Sequence, residues 1–120
     1  MNGMAASRPD ADYAVVDRSD LADSELEGRD FGGVEVSLIF IDSGPGEGPV
    51  LHRHPYEEVF IVLEGCSRFT VGAATIDAVA GKVVMVRAGV PHKFVNPGPG
   101  RLRQIDIHPR AEFVTEWLEG

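Results

Sequence analysis

From Phe31 onward, short apolar runs alternate with clusters of glycine and proline. Val34-Glu-Val-Ser-Leu-Ile-Phe-Ile41 is β-branched and long enough for a strand, and it stops at the breaker-dense Ser43-Gly-Pro-Gly-Glu-Gly-Pro49. A second apolar stretch, Leu51 to Glu64, centres on Glu58-Val-Phe-Ile-Val-Leu63. Ser67 to Val71 and Thr75 to Val79 read as a hairpin across Gly72-Ala-Ala74. Lys82 to Val86 follows Gly81, and Pro91 to Val95 follows Ala88-Gly89. After the wide turn Asn96-Pro-Gly-Pro-Gly100 comes Arg101 to His108. Many short strands with frequent turn signals predict an all-β sandwich or closed barrel.

The two ends are read differently. Residues 1–12 are small and polar and are expected as a loose tail. Tyr13-Ala-Val-Val16 is a candidate short strand, and the acid-rich Asp17 to Asp30 a loop or weakly held strand. Residues 13–110 are thus expected as one domain with an N-terminal arm, and 111–120 as a short helix after Pro109.

The central run Val59-Phe-Ile-Val-Leu63 is apolar on both faces, whereas a strand with one wet face alternates. Its outward side therefore needs cover, from another strand, from the chain's own arm or from a second copy in a homodimer.

Composition narrows the function. A hydrophobic share of 43% in 120 residues suffices for one modest core. The net charge of -8, with no basic run to oppose it, argues against nucleic acid and anionic membrane surfaces as partners. One cysteine, Cys66, excludes an internal disulfide and fits a reducing compartment. Met1 to Asp12 lacks the basic start and apolar core of a signal peptide, and no apolar run is long enough for a membrane span, so a cytoplasmic protein is expected.

The candidate chemistry lies in the second apolar stretch. His52, His54 and Glu58 share parity, so on an extended strand their side chains would face one way. Two imidazoles and a carboxylate inside a sheet are costly to bury unpaired, and a divalent cation removes that cost. The alternative is a pair of surface histidines beside an acid on an exposed edge.

The surrounding residues resemble the cupin superfamily. Gly46, His52, His54, Glu58 and Gly65 reproduce every gap of that family's first motif. Gly81, Arg87, Ala88, Gly89, His92 and Asn96 reproduce its second, with Arg87 in place of a proline. The resemblance implies a double-stranded β-helix, or jelly-roll, cupin barrel, with His92 as a third nitrogen ligand beside His52, His54 and Glu58. It implies one divalent transition metal (Mn, Fe, Ni, Co, Cu or Zn), with two open positions if the ion is octahedral. A closed structural zinc site is the plainer alternative.

Parity adds Tyr56, Phe60 and Val62 to the ligand side of their strand and Phe94 to that of His92, as pocket walls or as simple barrel filling. On the last strand, hydrophobicity would bury Ile105 and Ile107. If both faces are covered, Gln104, Asp106 and His108 could instead line the cavity as acid–base or supporting groups. The resemblance implies an enzyme of dioxygenase, isomerase, decarboxylase or lyase type acting on a small molecule, with the reaction open. A non-catalytic barrel that senses or carries a small molecule, and a purely structural metal barrel, are the other readings.

Overall fold

The computed structural model describes residues 12–120. The expected tail therefore lies, apart from Asp12, outside the described residues. Ten strands follow: β1 (Glu25–Glu27), β2 (Ser37–Ser43), β3 (His52–Arg53), β4 (Glu58–Glu64), β5 (Cys66–Val71), β6 (Ala74–Val79), β7 (Val83–Val86), β8 (His92–Val95), β9 (Leu102–His108) and β10 (Glu116–Trp117). They form two five-stranded antiparallel sheets, in the orders β1-β2-β9-β4-β7 and β10-β3-β8-β5-β6. Pairing stays within each sheet, so the jelly roll is a two-sheet sandwich rather than a closed ring of strands.

Three strands run from a polar end to an apolar end along their inward faces. On β4 the inward residues are Glu58, Phe60 and Val62; on β9 they are His108, Asp106, Gln104 and Leu102. On β8, His92 and Phe94 are buried in the same way. Side chains of one parity share a face, so these strands stack two layers between the sheets. The lower layer is hydrocarbon: Phe60, Val62, Phe69, Val86, Phe94 and Leu102 form one buried cluster. The upper layer holds the titratable groups. Burial of the lower layer, worth roughly 1.5–3 kcal/mol for each large side chain, supports the upper one.

Turns fix how the strands meet. Gly65 joins β4 to β5 at φ +81°, and a Cβ there would lie 2.2 Å from the Arg101 carbonyl oxygen. Only glycine fits both conditions. Asn96 ties the wide turn together: its Nδ2 donates to the carbonyls of Ser43 (3.0 Å) and Gly100 (2.8 Å), and its Oδ1 accepts from Gly98 N (2.8 Å).

The two ends depart from expectation. Tyr13 to Val16 forms no strand, and the acid-rich segment holds short 3-10 turns and the brief β1. The C-terminal helix over 111–120 is not formed. That segment runs extended, with β10 pairing to β3. Phe113, Thr115 and Trp117 recur at every second position and all line the cavity described below, as alternate residues of an extended chain do and those of a helix do not. Arg53 closes the pairing by gripping Glu116 with Nε (2.7 Å) and Nη2 (3.1 Å).

The outward side of β4 is only partly covered. Val59 and Ile61 sit beside Ile107 and Ile105 of β9, which in turn adjoin Leu38 and Phe40 of β2. The arm reaches this face at one point, where the Arg18 guanidinium lies 5.3 Å from the centre of the Phe40 ring. Leu63 and Met85 remain exposed.

Candidate metal centre

His52, His54, Glu58 and His92 come together at the upper end of the sandwich, each buried, with ligand atoms all within 4.8 Å of one another. This group could hold a metal ion. The convergence has a different cause from the one expected. The two histidines do not share a strand with Glu58: His52 is in β3 of one sheet and Glu58 in β4 of the other. Pro55-Tyr56-Glu57 carries the chain across between them. His92 arrives as the direct cross-strand partner of His52. The second-motif turn is also bonded to the first, because Gly89 N donates to the His54 carbonyl at 2.8 Å.

Hydrogen bonds settle which ring nitrogen faces the common point. His52 Nδ1 lies 2.7 Å from the Val50 carbonyl oxygen, His54 Nδ1 2.8 Å from that of Val114, and His92 Nδ1 2.9 Å from that of Val90. A carbonyl only accepts, so in each ring Nδ1 carries the proton and Nε2 of the neutral imidazole keeps a lone pair. Glu58 Oε1 lies 3.0 Å from both His54 Nε2 and His92 Nε2. Lone pairs of nitrogen and carboxylate then face one another, which is favourable only with a proton or a cation between them. His54 Nε2 is buried without a hydrogen-bond partner. A donor set of three bare imidazole nitrogens and one carboxylate oxygen fits a first-row divalent ion.

The charges respond accordingly. Burial would raise the Glu58 carboxyl, but its contacts with His108, His54 and His92 together hold it well below the usual carboxylate range. Burial likewise works to depress His92, yet Glu58 beside it and the Val90 carbonyl raise it on balance. His52 is lowered, chiefly by burial.

All four histidines of the chain gather here. His108 is buried, with Nε2 3.0 Å from Glu58 Oε2 although not hydrogen-bonded to it. Its Nδ1 is 2.7 Å from the Tyr56 hydroxyl, which accepts a 3.2 Å bond from Val114 N. Tyr56 also stacks on His54, with ring centres 5.1 Å apart. Tyr56 thus braces two of the imidazoles from behind. Tyr56→Phe should keep the fold and the stacking on His54 but free the amide of Val114, whose carbonyl holds His54, and so weaken metal binding by up to about tenfold, the scale for a lost supporting hydrogen bond. Metal titration of the two proteins followed by calorimetry checks this.

A cavity of about 410 Å³ opens above the site, with His52, His54, Glu58, Asp106 and His108 at its base. Its walls are largely apolar: Ile39, Ile41, Pro49, Phe94, Phe113 and Trp117. Phe94 lines it, whereas Phe60 sits in the core beneath His92, their ring centres 5.8 Å apart. Gln104 is buried behind Asp106 and donates to its Oδ1 at 2.7 Å. Burial raises the Asp106 carboxyl well above the usual range, the charge of Glu58 adds to that, and the Gln104 bond only partly opposes it. Sequence reasoning missed Phe113, Thr115 and Trp117. Their two-residue alternation was the available signal.

Residues 39–113 match the family model for the cupin domain, so this chain belongs to the cupin-domain family. In an alignment 115 positions long that covers 88% of this chain, it is 29% identical to the HTH-type transcriptional regulator PuuR of Escherichia coli (strain K12). It spans only 62% of that regulator's length. Among solved structures, a protein with a double-stranded β-helix domain from Klebsiella pneumoniae superposes with a TM-score of 0.67 at 18% identity, covering 79% of this chain and 80% of the other. An oxalate decarboxylase of Bacillus subtilis, studied for its Mn(II) centres, superposes with a TM-score of 0.70 at 24% identity, covering 78% of this chain and 27% of the other. These structural likenesses concern the fold.

Proposed function

We propose that this chain binds one divalent transition-metal ion on His52, His54, Glu58 and His92, and acts as a mononuclear metal enzyme on a small molecule held in the cavity above. The observation that carries this reading is the common tautomer of the three imidazoles. Each backbone carbonyl holds one Nδ1–H, so three Nε2 atoms turn toward the carboxylate and the cavity. An ion held by these four side chains would have room for further oxygen ligands on the cavity side. There the ion would supply Lewis acidity or a site for an oxygen ligand, the chemistry common to dioxygenase, isomerase and lyase types. The Mn(II) centres of the structurally similar decarboxylase support a metal, without choosing the reaction.

His108 and Asp106 are the groups placed to serve that chemistry. His108 presents a buried nitrogen to the Glu58 side of the cavity, with its other nitrogen held by Tyr56. Asp106, its carboxyl raised by burial, stands in the cavity base. The Asp106 carboxyl and the His108 imidazole stand on one wall as the candidate acid and base. Gln104 orients the acid.

A second reading is favoured by one observation, the resemblance to a transcriptional regulator over most of this chain. In that reading the cavity binds a ligand and converts nothing. Elemental analysis of purified protein, followed by turnover assays against small acids, diols and aromatics, separates the two. Ligand-dependent spectral shifts with no product support the sensor, and protein that takes up no metal removes the metal-enzyme reading. The partly covered outer face around Val59, Ile61, Ile105 and Ile107 supports a homodimer, read out by sedimentation.

The pH dependence of metal binding follows from His92. In the metal-free protein its folded value is raised, so a proton must leave when metal binds. Affinity is full above that value and falls as pH drops through it. The loss should therefore begin above the ordinary imidazole value of about 6.5, at about tenfold per pH unit for each proton displaced. His52, being lowered, stays neutral to more acid pH and adds to the slope only later. Metal titrations between pH 8 and pH 5 test the order.

A further inference from the structure

The cavity carries an asymmetry of charge. Among the described residues, no lysine or arginine lines it. Outside it, Arg53 is paired with Glu116, Lys93 with Glu119 and Arg101 with Asp42. The acids, by contrast, point in. Glu58 and Asp106 stand at the base, and Glu25 lines the wall. The Glu25 carboxyl is raised by burial and by the neighbouring charges of Asp23 and Glu27.

A divalent ion facing Glu58 keeps one unit of positive charge, enough for one anionic oxygen. Beyond that oxygen a ligand meets hydrocarbon walls, the proton-holding Asp106 or the Glu25 carboxyl, and no cation. His108 Nε2, buried without a hydrogen-bond partner beside the proposed ion, marks the base as the place where the polar head belongs. An anionic group at the far end would be desolvated with no counter-charge, the arrangement proteins avoid most strongly.

Resting on the metal site proposed above, we infer that the cavity takes a small molecule with a single oxygen head for the metal and an uncharged apolar body, and discriminates against dicarboxylates. The Glu58-facing ion anchors the head. The hydrophobic walls contribute affinity in proportion to the apolar area they cover. Specificity arises from repulsion at the far end as much as from attraction at the head.

The chain's single tryptophan, Trp117, lines this cavity with its ring centre 5.0 Å from that of His52, and so reports binding without any turnover. Protein loaded with Mn(II), its content confirmed by elemental analysis, is titrated with hexanoate and with adipate, which differ in the second carboxylate. Hexanoate should change Trp117 fluorescence with a dissociation constant at least about tenfold below that of adipate. In Glu25→Lys the gap should narrow severalfold, because a cation then stands on the wall. Adipate binding as well as or better than hexanoate, or hexanoate giving no change in the loaded protein, overturns this inference while leaving the metal site standing. Protein that takes up no Mn(II) overturns the proposed function and this inference together.

Discussion

Chelation should lower the melting temperature of the metal-loaded protein by roughly 10 °C, and His92→Ala should melt at one temperature with or without chelator. A ligand present at about 100 times its dissociation constant stabilises the state that binds it by about 2.7 kcal/mol. In a chain of this length each 1 kcal/mol shifts the midpoint by roughly 3–5 °C. His92 is the residue to remove because β8 presents it between His52, its cross-strand partner, and Glu58, 3.0 Å away. Its side chain stands above Phe60, so the hydrocarbon layer below survives truncation and the variant still folds. Differential scanning calorimetry on four samples, each protein with and without chelator, gives the result. A parent protein that melts identically in both conditions after metal loading would sink the assignment.

Gly65→Ala should destabilise the protein by at least ~3 kcal/mol and impair the site without touching a ligand. The residue combines φ +81° with a Cβ position 2.2 Å from the Arg101 carbonyl oxygen. That neighbour is backbone at the start of β9, so relief requires β4 and β9 to part where the register already shifts between Val62 and Glu64. These same two strands carry Glu58 and His108 at their other ends. Urea denaturation measures the loss. The contrasting variant is Gly72→Ala, where φ is +56° and nothing lies within 4 Å, and it should cost about 1 kcal/mol.

Much of the site was legible because its residues lie in two compact segments with fixed spacing. His52, His54, Glu58 and His92 could be named, and the structure brings them within reach of one ion. Parity was the wrong route to the right place, since Glu58 belongs to the opposite sheet and the turn at Pro55 swings it back. The last strand could not be settled from the chain alone. Ile105 and Ile107 are the obvious core candidates, yet the structure buries Gln104, Asp106 and His108 and leaves the isoleucines half-covered outside. Hydrophobicity decides orientation only where one face is wet, and here a polar upper layer inverts the usual preference. The C-terminal segment misled because Ala111 to Glu119 has helix-forming composition while its placement is set by contacts 60 or so positions away, such as Val114 with His54 and Glu116 with Arg53. Tertiary pairing overrides local propensity in so short a piece.

Val114 is where that segment touches the chemistry. Its carbonyl accepts from His54 Nδ1–H and its amide donates to the Tyr56 hydroxyl, so a single backbone residue sets the aim of one ring and steadies the brace of another. Occupancy by an ion and docking of this last stretch would then be two faces of one equilibrium: whatever peels the strand from its groove would loosen a bound cation, and by reciprocity a bound cation would disfavour the peeling.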